Sequence, residues 1–298
     1  MSCTAPGILT ACMWVYDHVA WAVPAAEHVP GALPTALGAF VFFAALNVAV
    51  GAVSRACLTF VASAPTKEQA KWNNIGTSLL HSLLIGVLSV AAIGAVGVRS
   101  GGAIDVLYNS DPLLRAVLAF STGYFWYDTA DMAINRMYLN QPIVWFHHVV
   151  VLTPFTLALL LDAYEPILVM GLVVEANTAL QHARRLFTIL HARSSLGFTV
   201  TLALLYGSFI PIRIAPHAAI AYAAICATHA GAFAIPWHAA VAILGSIFIT
   251  IVDCGIFVVM LRSDWPWLIG RAPHAAASLE PVGVDDPAVT HASRHKAD

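Results

Sequence analysis

Seven stretches of about twenty mostly apolar residues divide the chain, and they constrain its fold more than any other feature. They are Leu33–Cys57, Ile75–Val98, Leu113–Met132, Ile143–Leu161, Pro166–Leu186, Leu196–Ile214 and Ala239–Leu261. Each is long enough to cross a hydrocarbon core as a helix. The expected fold is all-α, a polytopic transmembrane bundle or barrel of about seven spans (six to eight). Composition agrees: 59% of the 298 residues are hydrophobic and 10% charged, more apolar surface than a soluble chain of this length could cover. A formal net charge of −2 gives no reason to expect a nucleic-acid partner.

An eighth stretch, Ala218–Ile235, is Ala-rich, contains His229 and lies between Pro216 and Pro236. It reads as a span, or as a re-entrant or short segment. Charge bias bears on the choice. Arg55, Lys67, Lys71, Arg136, Arg184, Arg185, Arg193, Arg262, Arg271, Arg294 and Lys296 fall at one set of helix ends. Arg99, Arg115 and Arg213, with Asp105, Asp111, Asp162 and Glu165, fall at the other. The positive-inside rule makes the first set cytosolic. Seven spans then put the basic tail in the cytosol, so Ala218–Ile235 is expected not to cross fully. The resulting organisation is a lumenal or interfacial segment over 1–32, a transmembrane domain over 33–265 and a disordered cytosolic tail over 266–298. The N-terminus lacks the basic region of a signal peptide, and Asp17 and His18 interrupt its apolar run. No lipidation motif is expected. Cys3, Cys12, Cys57, Cys226 and Cys254 have no ligand spacing and read as small apolar residues.

Ionisable residues within spans are costly and usually face a bundle interior or an aqueous cavity. Asn74, Ser78 and His81 share one helical face. Ser121, Tyr124, Asp128, Asp131 and Asn135 form a similar stripe, and Trp145, His147 and His148 open the next span. Glu175, Thr178, His182 and Arg185 form a third stripe, and the last span holds Asp253. With a rise of ~1.5 Å per residue, His81 lies about 9 Å below the cytosolic end of its helix, Asp128 and His147 about 6 Å, Glu175 about 16 Å and Asp253 about 12 Å. Agreement in depth points to one cavity opening to the cytosol. Each group could instead be an interhelical hydrogen bond, and Arg184 and Arg185 could be interfacial anchors. His217, His229 and His238 read as incidental. A neutral imidazole can serve as base or acyl-accepting nucleophile, with Asp128 or Glu175 orienting it. Beyond the His147–His148 pair only His81 and His182 are at hand, too few ligands for a di-iron centre, so no metal is expected.

These pieces, in this order, resemble the TLC-domain family (TRAM, Lag and CLN homology). They are Lys71-Trp72-Asn73-Asn74 leading to Ser78 and His81-Ser82; Gly123-Tyr124-Phe125 then Asp128; His147-His148; Glu175-Ala176-Asn177-Thr178 before Arg184 or Arg185; and Phe209–Arg213 before a final span. The resemblance covers about residues 35–265 and implies a multi-span helical barrel in the endoplasmic reticulum or a related endomembrane. The family's paired histidines match His147 and His148. Lag-type ceramide synthases carry a later His-Asp with further acidic residues, where this chain has Glu175-Ala176-Asn177-Thr178, so it looks closer to the TLCD-type branch. The resemblance implies acyl transfer from acyl-CoA, as co-substrate, to a sphingoid base or other membrane lipid, with no other cofactor. The expected catalytic residues are His147, His148, Asp128, Glu175 and His81. Tyr124, Asp131, Asn177, His182, Arg184, Arg185 and Asp253 are the expected substrate-binding residues. The alternative expectation is a non-catalytic lipid-binding protein that regulates membrane composition and fluidity.

Overall fold

A computed structural model describes residues 31–100, 107, 111–161, 163–233 and 236–269. The expected N-terminal segment and tail therefore fall almost entirely outside the described residues, as do Asp105 and Asp162. Every regular element among the described residues is helical. In a bilayer this is required, because a helix satisfies its backbone polar groups within its own segment. The elements are α1 (Ala32–Cys57), α2 (Thr59–Ser63), α3 (Thr66–Arg99), α4 (Pro112–Ile134), α5 (Pro142–Leu161), α6 (Glu165–Leu172), α7 (Glu175–Ile189), α8 (Leu196–Ser208), a π-helical turn (Phe209–Ile214), α9 (Ala215–His229) and α10 (Pro236–Leu268). The chain divides into two compact units, Met1–Asp253 and Cys254–Asp298, with the boundary inside α10.

Five helical runs are long and apolar enough to cross a membrane: α1, α3, α5, the run Leu196–His229 and α10. The chain is an all-α polytopic membrane protein. The other two expected spans, α4 and the α6–α7 pair, carry the carboxylates Asp128, Asp131 and Glu175 and lie against other helices. α4 packs along α1, α3 and α5, while α7 packs along α3 and α8.

Local chemistry sets the helix ends. Asp111 caps α4, its carboxylate accepting from Leu113 N–H at 2.8 Å, with Pro112 in the first turn where a missing N–H costs nothing. Ser195 caps α8 in the same way through Phe198 N–H. α6 and α7 meet at Val173–Val174 in a tightened turn, where N–H groups bond to carbonyls three residues back. That turn places Glu175 at the start of α7.

Leu196–Ile214 and Ala218–Ile235 read as separate stretches in the sequence, but one helical run continues from Leu196 to His229. Pro211 and Pro216 would each interrupt an ordinary α-helix. Here the π-helical turn absorbs the register change, and Ala215 N–H bonds to Ile210 O five residues back. The run ends beyond His229, where Gly231 adopts a left-handed φ of 64°. At ~1.5 Å per residue its 34 residues span about 51 Å, well over a ~30 Å hydrocarbon core, so the run tilts or projects beyond it.

Close approach of helices depends on two glycines. A Cβ on Gly86 of α3 would sit 2.5 Å from Ala176 N of α7. One on Gly123 of α4 would collide with the Ala36 carbonyl of α1. Small residues at such crossings let helix backbones approach within a membrane.

Candidate functional site

Asn74, Ser78, His81 and Ser82 project from one face of α3, and all four are buried. Opposite them on α4 are Ser121, Tyr124, Asp128 and Asp131. The Asn74 amide bridges two carboxylates, donating to Asp128 Oδ1 at 2.6 Å and to Asp131 Oδ2 at 3.1 Å. Ser78 donates to the Asn74 carbonyl and accepts from Tyr124 Oη at 2.8 Å. The Tyr124 ring stacks on His81 with 3.6 Å between centroids. The Phe43 and Phe125 edges close around the same imidazole. His81 is thus held rigidly by packing as well as by hydrogen bonding.

Two histidine–carboxylate pairs emerge from this arrangement. His81 Nε2 lies 3.2 Å from Ser121 Oγ, and its Nδ1 lies 3.8 Å from Glu175 Oε2. Ser82 donates to that same Glu175 oxygen at 2.5 Å. His148 of α5 has Nδ1 2.9 Å from Thr129 Oγ1 and Nε2 3.5 Å from Asp128 Oδ2.

Thr129 has one hydroxyl proton. Given to the Phe125 carbonyl, 2.8 Å away, it leaves His148 Nδ1 as the donor to Thr129; given to His148, it makes Nδ1 the acceptor. The His148 Nε2 faces the Asp128 carboxylate, the arrangement in which a carboxylate orients an imidazole and stabilises its charged form. His147 behaves differently. Its ring is edge-on to His148, 5.8 Å between centroids, and its buried Nδ1 has no hydrogen-bond partner.

A second polar centre joins α7, the π-helical turn, α9 and α10. Arg213 donates from Nε to Asp253 Oδ1 at 2.6 Å and from Nη1 to Thr178 Oγ1 at 2.9 Å. His217 Nδ1 lies 3.0 Å from the Arg213 carbonyl and 3.6 Å from Asp253 Oδ2. Arg213 and His217 were not expected to matter. Arg213 was read as an extracytosolic helix-end charge, but it is buried halfway along a 34-residue helical run. His217 is not incidental, since it is buried against this ion pair. The available sequence signal is the i, i+4 spacing of Arg213 and His217 on either side of Pro216.

The remaining expected site residues divide. Asn177 is buried, and its amide donates to Leu205 O and Ser208 Oγ, both at 3.0 Å, which ties α7 to α8. His182, Arg184 and Arg185 are half-buried on α7. The Arg185 guanidinium lies 5.7 Å from the Tyr138 ring centroid. Tyr138 sits in the α4–α5 connection, and burial raises its phenol pKa more than neighbouring Arg185 lowers it. His238, also read as incidental, lies 2.8 Å from Tyr164 Oη.

The polar centres occupy one part of the bundle's length. Beyond His81 and Ser121, an apolar cluster that includes Ile85, Leu118, Val169 and Leu172 fills the space between α3, α4 and α6. On its far side, Arg115 pairs with Glu165 at 2.9 Å and Arg99 with Asp111 at 2.6 Å.

The TLC-domain family model matches residues 71–262, a stretch running from just before Asn74 to beyond Asp253. This chain belongs to the TLC-domain family. It is 34% identical over 144 residues to TLC domain-containing protein 2 of Danio rerio, covering 48% of this chain and 57% of that protein. It is 31% identical over 142 residues to the Homo sapiens protein of the same name, covering 46% and 53%. For the Mus musculus protein the values are 27% over 150 residues, covering 50% and 47%. The chain thus matches about half the length of these curated relatives. Their names place it nearer the TLCD-type branch than the Lag-type one. No solved structure matches the chain. The family is linked to lipid metabolism or membrane function.

Proposed function

We propose that this chain is an acyltransferase of an endomembrane such as the endoplasmic reticulum, moving an acyl group from acyl-CoA to a sphingoid base or another lipid acceptor. The observation that carries the reading is the buried His148–Asp128 pair with the His147 ring edge-on beside it. In this scheme the acceptor's amine or hydroxyl attacks the thioester carbonyl. Its proton passes to an imidazole, the C–S bond breaks, and the departing thiolate takes a proton to leave as CoA. Asp128 stabilises the charged form of His148, and Glu175 does the same for His81. Arg184 and Arg185 supply cationic charge for the CoA phosphates at the cytosolic end of the site. Membrane lipids are the partners that this chemistry needs.

The test is turnover by purified protein in nanodiscs, supplied with a long-chain acyl-CoA and a sphingoid base, beside His147→Ala and His148→Ala. The expected loss in either variant is about 10² or more, the usual contribution of a positioned acid–base group. Equal product from all three proteins would remove the histidines from the chemistry. Bound lipid without turnover in any of them would favour the non-catalytic regulator of membrane composition.

A further inference from the structure

Arg213 is an unusual residue to find where it lies. A guanidinium midway along a membrane-length helix is expensive to bury, and its charge is balanced by Asp253, which is 1% exposed. A guanidinium has five N–H donors. Asp253 takes Nε and Thr178 takes one on Nη1. The other three meet no protein acceptor among the described residues, while 8% of the side chain remains accessible. The residue stands in a π-helical turn, a distortion that is rare and often found at functional positions. The other oxygen of its partner, Asp253 Oδ2, is buried without a hydrogen-bond partner. A buried cation with spare donors suits a ligand that brings an acceptor oxygen.

We propose that Arg213 binds the carbonyl oxygen of an acyl chain, with Asp253 and Thr178 fixing the plane of the guanidinium. Donors aimed where negative charge develops on a carbonyl oxygen are the usual means of stabilising acyl transfer. The proposal builds on the acyltransferase reading in its choice of ligand, but it concerns binding and can be tested without turnover. The acyl carbonyl could come from a thioester or from the ester of a glycerophospholipid.

The experiment measures binding to purified protein in nanodiscs. One arm compares a long-chain acyl-CoA with the S-alkyl-CoA thioether of the same length, which lacks only the carbonyl oxygen. The other compares diester with diether phosphatidylcholine. In the wild type the carbonyl-bearing member of one arm should bind roughly tenfold or more tightly, as expected for a charge-assisted hydrogen bond; the arm that discriminates identifies the source. Arg213→Met alone would strand the buried Asp253 carboxylate. The informative variants are therefore Arg213→Lys and the double replacement Arg213→Met with Asp253→Leu, each confirmed folded by its elution profile. The double replacement should abolish the preference, and Arg213→Lys, which keeps a donor but loses the planar fork, should weaken it. No carbonyl preference in the wild type, or a preference that survives in both variants, overturns the proposal. If the Arg213-dependent preference holds while no product ever forms, the acyltransferase reading fails and the carbonyl site remains.

Discussion

Asn74 shows how a single amide can hold a buried site together. Asp128 and Asp131 are one helical turn apart on α4, and two carboxylates so close repel unless a donor lies between them. Asn74 supplies both N–H groups of one nitrogen. Asn74→Leu keeps the volume and removes the donors, leaving each carboxylate short of a partner. It should cost about 1–3 kcal/mol, the penalty of an unsatisfied buried group, and lower the melting temperature in detergent. An unchanged melting curve would mean that the carboxylates are satisfied some other way. Thr129 offers a finer test. Thr129→Val removes the hydroxyl that meets His148 Nδ1, while Thr129→Ser retains it. Under the proposed chemistry, turnover should fall by about tenfold or more in the valine variant and recover in the serine variant. Equal rates in both would show that this contact does not matter. Residue identity alone could place His81, Asp128, His148 and Glu175 on inward faces, because ionisable groups in apolar helices have few other places to go. It could not show how they pair. The Asp128–His148 contact joins α4 to α5 and the Glu175–His81 contact joins α7 to α3, and periodicity within one helix carries no information about its neighbour. Arg213 was misread for the same reason. Its position near an expected helix end suggested an interfacial charge, whereas its role depends on Asp253, forty residues away on another helix.

At the scale of elements, the site depends on how closely α3 approaches α7. Gly86 lies one turn beyond Ser82 on α3 and faces Ala176, the neighbour of Glu175. Any side chain there must push the two backbones apart, since the two nearest obstructing atoms belong to the main chain. Gly86→Val should therefore separate His81 from Glu175, lowering both thermal stability and any activity that needs the pair. Gly38 of α1 is the matching control, because a Cβ there meets nothing within 4 Å. Gly38→Ala should leave both properties within error of the wild type or slightly raise stability, as alanine is the better helix former. If Gly86→Val is as benign as Gly38→Ala, the crossing does not position the site. Apolar runs made the helices legible in the sequence, and six of the seven expected spans each correspond to one helix or one helix pair. The run Leu196–His229 was not legible as one element, since prolines usually end helices and nothing local announces that a π-helical turn will carry the chain through.

Among the described residues of the unit Met1–Asp253, the polar cluster around His81 is backed by apolar packing. Asn74, Asp128, His148, His81 and Glu175 could be the start of a proton path across the membrane, and buried carboxylate–histidine series do serve that purpose in pumps. The packing argues otherwise. Between His81 and the Arg115–Glu165 pair lie Ile85, Leu118, Val169 and Leu172, each no more than 2% exposed. Apolar side chains packed this tightly leave no room for a water chain and offer no group to relay a proton. A polar cluster backed by apolar packing suits an enzyme or a lipid-binding protein, both of which take their ligand from one side, and it does not suit a conduit. Proteoliposomes containing the wild type should hold an imposed pH gradient as long as empty vesicles do. Replacing Leu118 and Leu172 together by serine puts hydroxyls into the seal and makes room for water between the two polar regions. That variant should dissipate the gradient measurably faster, provided that it reconstitutes to the same density. A wild type that leaks protons would show that the cluster opens and that the buried histidines serve transport, and a one-sided lipid site would then no longer explain them.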